Sequence, residues 1–195
     1  MKVIETQIPA VKIIEPHVFQ DKRGFFMESF NQRAFEEAIG ESVQFVQDNH
    51  SKSSLGVLRG LHYQIAQAQG KLVRVTQGEV FDVAVDLRES SPTFGDWVAA
   101  RLTADNFKQM WVPAGFAHGF LVLSETAEFL YKTTDYYAPE HERAIRWDDP
   151  TLAIDWPLQE LKEKTGQLLA SAQAAPKVSK KDAQAPNFTD AEYFA

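Results

Sequence analysis

Between residues 79 and 87 apolar and polar positions alternate. Phe81, Val83, Val85 and Leu87 point one way; Val80, Asp82, Ala84 and Asp86 point the other. A period of two is that of a β-strand. Two carboxylates beside small residues suit the inside of a roomy barrel or, the commoner case, a solvated sheet. Residues 71–76 read as the preceding strand, and Gln77-Gly78 between the two predicts a hairpin. Upstream, 11–19 and 24–30 read as strands around the polar turn Gln20-Asp21-Lys22-Arg23. Asn31 predicts a helix N-cap, the helix running over 32–39 with Gly40 as its stop. Residues 43–48 read as extended and 51–56 as a polar loop. Short strands follow over 97–102, 107–112, 119–123 and 127–133. Many short strands at regular spacing predict an all-β sandwich, jelly roll or barrel.

Beyond Pro157 the pattern changes. Residues 158–174 read as an amphipathic helix with leucines at 158, 161, 168 and 169, followed by Pro176, Lys180-Lys181-Asp182 and a polar tail. No repeat and no second domain are evident. The expected organisation is a β-barrel over 1–157 with a helical extension, 158–195, packed on it.

One stretch breaks the apolar pattern. In residues 56–64, GVLRGLHYQ, Arg59 and His62 stand between glycines in an otherwise strand-like run. Charge in such a run is costly unless paired or used. Read chemically, it is a pocket wall with His62 as a base; read structurally, Arg59 is a strand-end surface residue and His62 a satisfied core histidine. The two are an odd number of residues apart, so a regular strand would send them to opposite faces. They share a pocket only if Gly60 permits a bulge or twist.

Composition narrows the classes. The 195 residues suffice for one sizeable core. There is no cysteine, hence no disulfide and no thiolate chemistry, which fits the cytoplasm. No apolar run approaches membrane-spanning length, and the N-terminal residues interrupt any signal-peptide pattern with Glu5 and Pro9. A formal net charge of −7 argues against a nucleic-acid partner and requires a local basic cluster for any anionic substrate.

Pro113-Ala114-Gly115-Phe116-Ala117-His118 has the form PxGxxH and resembles the second motif of the cupin superfamily. Metal-binding cupins add an HxH pair and a nearby glutamate. Here the matching stretch is His62-Tyr63-Gln64 and the next glutamate, Glu79, is distant, so a metal site is not expected.

A longer ordered set makes the resemblance specific. It comprises Asp21-Lys22-Arg23-Gly24-Phe25-Phe26 with Glu28, Gln47-Asp48-Asn49-His50-Ser51 and Arg59-Gly60-Leu61-His62-Tyr63-Gln64. It continues through Gly70-Lys71-Leu72-Val73-Arg74-Val75, residues 78–88 (GEVFDVAVDLR), residues 113–120, Tyr131-Lys132, Tyr136-Tyr137 and Trp147-Asp148-Asp149-Pro150. Over about residues 3–157 the chain resembles the dTDP-4-dehydrorhamnose 3,5-epimerase family, metal-free cupins of deoxysugar biosynthesis.

The resemblance implies a cupin-type jelly-roll β-barrel with short helices and no cofactor. The implied reaction is epimerisation at C3 and C5 of dTDP-4-dehydro-6-deoxy-D-glucose to dTDP-4-dehydro-L-rhamnose, with the protons acidified by the C4 ketone. That chemistry needs a base near neutral pKa, a cation at the enolate oxygen and an acid on the opposite face. The implied base is His62, the implied cation Lys71 and the implied acid Tyr131. Their bland readings are a core histidine, a hairpin-end surface lysine and a core aromatic. The carboxylate that orients the base is assigned to Asp182, or less readily to Asp82. Arg23, Arg59 and Lys181 would meet the diphosphate. Glu28, Gln47, Asp48 and Asn49 would bond the thymidine end, and Tyr137, or else Tyr136, would stack on thymine. His118 and Glu142 would complete the pocket; His17, His50 and His141 are left as ordinary histidines. A homodimer is implied, with N-terminal strands exchanged and Glu28 acting across the interface. Competing readings are a mono-epimerase or ketoisomerase on the same nucleotide sugar, a metal-dependent oxygenase, and a non-catalytic nucleotide-sugar-binding module.

Overall fold

Two antiparallel sheets face each other across an apolar core in this computed structural model, which describes residues 1–168 and 175–195. In chain order the strands are β1 (Lys2–Glu5), β2 (Lys12–Glu15), β3 (Val18–Asp21), β4 (Gly24–Met27), β5 (Gln47–Ser54), β6 (Leu58–Gln64) and β7 (Lys71–Gln77). They continue with β8 (Glu79–Asp86), β9 (Trp97–Thr103), β10 (Gln109–Val112), β11 (Phe116–Val122), β12 (Thr126–Thr133) and β13 (Glu142–Ala144). One sheet has the order β1-β2-β10-β7-β12-β5 and the other β13-β6-β11-β8-β9, while β3 and β4 form a separate hairpin. The chain is therefore a double-sheet jelly roll whose sheets do not close into a continuous barrel.

Strand alternation sorts the side chains into layers. Val73, Val75, Val80, Ala84, Phe120, Val122 and Phe129 fill the space between the sheets. The other face of β8, with Val83 and Val85 and continued by Leu87 just beyond the strand, packs under Trp156, Leu161 and Phe188 from the C-terminal part of the chain. Both faces of β8 are thus buried. Asp82 and Asp86, which the commoner reading would place on a solvated face, are fully inaccessible.

Helix α1 (Gln32–Ile39) closes the outer face of the six-stranded sheet, seating Phe35 against Trp111. The Asn31 side chain accepts from Ala34 N at 3.1 Å, and Gly40 ends the helix at φ +78°. Helix α2 (Leu158–Leu168) follows Pro157; residues 169–174 of the expected longer helix lie outside the described residues. Helix α3 (Lys180–Ala183) is a single turn.

The expected hairpin over 71–87 does not form. β7 pairs with β10 and β12, whereas β8 pairs with β9 and β11, so the chain crosses between sheets at Gln77-Gly78. A Cβ on Gly78 would lie 2.1 Å from the Thr126 carbonyl, and its φ is +77°, so this corner needs glycine. Residues 51–56, read as a loop, lie largely within β5, whose polar side chains alternate outward because it is an edge strand with β12 as partner. The single strand expected over 11–19 is broken at Pro16-His17 into β2 and β3.

Candidate active site

A cavity of about 300 Å³ opens between the two sheets. The five-stranded sheet contributes Arg59 and His62 from β6, His118 from β11 and Glu142 from β13; the six-stranded sheet contributes Asn49, Lys71 and Tyr131. Phe120 and Phe129, stacked at 4.2 Å, form its apolar wall.

A bulge resolves the parity of Arg59 and His62. On β11 their partners are Phe120 and His118, so three steps of β6 oppose two steps of β11. Both side chains then reach the same face. The bulge is made possible by glycine on both strands. A Cβ on Gly60 would sit 2.6 Å from Gly119 Cα and 2.8 Å from the His118 carbonyl, and φ there is +121°. Arg59 donates through Nε and Nη2 to the buried Ser53 hydroxyl at 3.2 and 3.1 Å, which aims the guanidinium along the wall.

His62 Nε2 lies 2.5 Å from Asp182 Oδ1. Burial pushes the Asp182 carboxyl up, but the hydrogen bond and charge of His62, helped by Ser179 and the Gly60 amide, hold it below the usual range. A second pair lies deeper: His118 Nε2 is 2.9 and 3.1 Å from the Asp82 oxygens. Asp82 therefore serves His118, while Asp182 serves His62. Burial raises the Asp82 carboxyl against the pull of His118 and Lys71. Burial also lowers Lys71 to about 8, opposed by Asp82 and Glu142, and its ammonium donates to the His62 carbonyl at 3.4 Å. Desolvation raises the Tyr131 phenol, with Arg59 pulling it down. Among the described residues no group of three His, Cys, Asp or Glu side chains is placed to hold a metal ion.

At the rim, Lys181 Nζ meets Glu142 Oε2 at 2.5 Å, and Glu142 accepts from the Tyr137 hydroxyl at 2.8 Å. Tyr137 lines the cavity and Tyr136 does not. Gln64, which sequence reasoning left without a role, holds this rim: its side chain donates to the Gln67 and Tyr136 carbonyls and accepts from Ala138 N. Gln47 accepts from Tyr137 N at 3.1 Å and donates to Asn49, while Asp48 pairs with Lys132 and lines a neighbouring cavity that shares Asn49, His50 and Tyr131. Arg23 and Glu28 are not brought to this cavity. Arg23 is exposed on the β3–β4 hairpin, clamped to Asp21, and Glu28 follows that hairpin, also exposed. Ser53 and Ser179 carried no sequence signal for support roles, because short polar residues in polar runs are common.

Comparison with known proteins fits this arrangement. The family model described as dTDP-4-dehydrorhamnose 3,5-epimerase matches residues 5–190. A dTDP-4-dehydrorhamnose 3,5-epimerase from Pseudomonas aeruginosa is 65% identical over 194 residues, covering 100% of this chain and 99% of that protein. The crystal structure of a dTDP-6-deoxy-D-glucose-3,5-epimerase from Legionella pneumophila in complex with dTDP-4-keto-L-rhamnose superposes with a TM-score of 0.87 at 53% identity, covering 96% of this chain and 93% of that one. A 3'-monoepimerase from Streptomyces bikiniensis in complex with dTDP-quinovose superposes at 0.82 but is only 31% identical, covering 95% and 87%. The chain belongs to the dTDP-4-dehydrorhamnose 3,5-epimerase family.

Proposed function

We propose that the protein is an isomerase that epimerises C3 and C5 of dTDP-4-dehydro-6-deoxy-D-glucose to dTDP-4-dehydro-L-rhamnose, in dTDP-L-rhamnose biosynthesis. The observation that carries this reading is the disposition of one cavity: His62 stands on one sheet, bonded to Asp182 of the C-terminal part of the chain, and Tyr131 stands on the facing sheet. His62 removes the proton beside the C4 ketone, the electron pair moves onto the ketone oxygen, and the Lys71 ammonium stabilises the resulting enolate. Collapse of the enolate takes a proton from the Tyr131 hydroxyl on the opposite face, inverting the carbon. His62 then releases its proton to solvent, the Tyr131 phenolate takes one up, and the cycle repeats at the second carbon. Asp182 fixes the imidazole and stabilises its charged form, as carboxylates do in other base pairs. Arg59 and Lys181 supply the local positive charge that a diphosphate needs in a chain of net charge −7. His118 and Glu142 bound the sugar, Tyr137 stacks on thymine, and Gln47, Asp48 and Asn49 hold the nucleoside.

Arg23 and Glu28 act in a partner's site under this reading, and the active form is a homodimer with exchanged N-terminal strands. Supporting this, Phe19, Phe25 and Phe26 on the β3–β4 hairpin are 59%, 59% and 70% exposed, and β1 is a sheet edge. Exposed apolar side chains and an open edge both call for cover. Light scattering reads the assembly, and a monomer that is fully active overturns it. A cysteine-free chain suits the reducing cytoplasm, where we place it. No described helix is long and apolar enough to cross a membrane.

Proton NMR of the keto sugar incubated with the purified protein tests the reaction. New ring-proton couplings of the doubly inverted sugar are expected. Inversion at one carbon alone favours the mono-epimerase reading, and an unchanged sugar overturns the enzyme.

A further inference from the structure

The base's carboxylate comes from a short element. Asp182 sits on α3, a helix of four residues, in the C-terminal part of the chain. A single turn is not stable by itself, because nucleating a helix costs more than its first hydrogen bond returns. Yet the Asp182 carboxylate must hold its place within hydrogen-bonding distance of His62. Something must fix the turn.

The segment is tied to β6 on the N-terminal side of α3. Lys177 N donates to the Gly56 carbonyl at 2.7 Å, and Leu58 N donates to the Lys177 carbonyl at 3.0 Å. Two residues later Ser179 caps α3. Its hydroxyl oxygen accepts from Asp182 N at 3.0 Å, and its carbonyl accepts from Ala183 N at 2.9 Å. Its own backbone is extended, with φ −67° and ψ 159°, as a capping residue requires. The residue whose amide is captured is the same residue whose carboxylate faces His62. Ser179 also helps to hold that carboxylate in its charged form.

We propose that Ser179 is a positioning residue for the reaction: its hydroxyl bond to the Asp182 amide sets the orientation of that residue and thereby fixes the Asp182 carboxylate on His62. The proposal rests on the reading of His62 as the base. Ser179 does not line the cavity, so its loss is expected to affect turnover with substrate binding left in place.

Three variants and two readouts test it. Ser179→Ala removes the cap. Ser179→Gly removes the hydroxyl but keeps good capping propensity, so it guards against a misfolded alanine variant. Ser179→Thr keeps the hydroxyl. The alanine and glycine variants are expected to lower kcat about tenfold with KM within about twofold, since a small misplacement of a catalytic group costs up to about a hundredfold. The threonine variant is expected to restore kcat. In an Asp182→Asn background Ser179→Ala is expected to add nothing further to the loss of kcat, because both changes act through one contact. The second readout needs no turnover: the downfield imidazole N–H proton of His62 bonded to Asp182 is present in the wild type and Ser179→Thr and absent in Ser179→Ala and Ser179→Gly. A merely structural cap would lower the melting temperature while leaving kcat and this resonance intact, and that result overturns the proposal. An inactive wild type with the resonance lost on Ser179→Ala would instead overturn the assigned reaction and leave the positioning role standing.

Discussion

Lys71→Met separates what the lysine does for the reaction from what it costs the fold. Lys71 is 9% exposed, and burial brings its pKa from 10.5 to about 8 even with Asp82 and Glu142 attracting the charge. At about 1.36 kcal/mol per pH unit, that difference means the folded protein spends about 3 kcal/mol at pH 7 to keep the ammonium inside. Between pH 8 and 10.5 the unfolded chain holds a proton that the folded chain has released, so stability contributed by this group rises with pH across that window. Below about 8 both states are charged and the full cost is present. Methionine has similar volume and no charge. Its substitution removes the cost but also removes an attraction on Asp82, whose carboxyl is already raised and takes up a proton more readily. The net expectation at pH 7 is a gain of about 1–3 kcal/mol. At a urea m-value of about 2 kcal/mol/M this is a rise in midpoint of about 0.5–1.5 M. The same variant loses turnover, because no cation then meets the enolate. Urea unfolding at pH 7 and pH 10, beside a turnover assay, reads both effects; the stability gap narrows at the higher pH. A variant less stable than wild type at pH 7, or a gap that ignores pH, refutes the reasoning.

Four further outcomes are expected. Turnover of the wild type falls as pH rises through about 8, where Lys71 releases its proton, and this limb is absent from a pH profile of stability-independent nucleotide binding. Gly60→Ala forces a left-handed φ on alanine and drives its Cβ into Gly119 and His118 backbone, costing about 3–5 kcal/mol in denaturant unfolding; a cost under about 1 kcal/mol contradicts the bulge. Tyr131→Phe removes the opposite-face donor, so NMR in D2O should show label exchanged without inversion, while full epimerisation counts against the assignment. Asp86 is held down to about 2: burial alone would raise it, but Arg88, Ser91 and Thr93 bond it; its stabilising contribution is lost as pH falls from about 4 through 2, so Asp86→Asn should flatten acid unfolding there.

What the sequence made legible follows from which signals are local. Helix α1 reads off residue by residue because Asn31 and Gly40 act on their own turns. β8 reads as a strand because its alternation is complete. Its partners do not, since a glycine that permits a hairpin equally permits a corner between sheets, and only the contact of Gly78 with Thr126 decides. β5 was hidden because QDNHSKSS has no apolar side, its pairing being made by backbone groups along an edge. In the site, His62, Lys71 and Tyr131 are legible through ordered motifs. The bulge that aligns Arg59 with His62 was posed by parity and answered by register. Asp182 is nominated for His62 by its place in the SKKD stretch, whereas the bond of Asp82 to His118 is not legible, because it joins distant parts of the chain.

The most direct test follows deuterium. The wild type and His62→Ala are incubated with dTDP-4-dehydro-6-deoxy-D-glucose in D2O, and label at C3 and C5 is read by proton NMR alongside dTDP binding. The account predicts label at both carbons with the wild type, and none at either carbon with the variant, which still folds and binds the nucleotide. Label arriving in the His62→Ala variant at the wild-type rate would contradict the assignment of His62 as the base, and with it the mechanism built on this cavity.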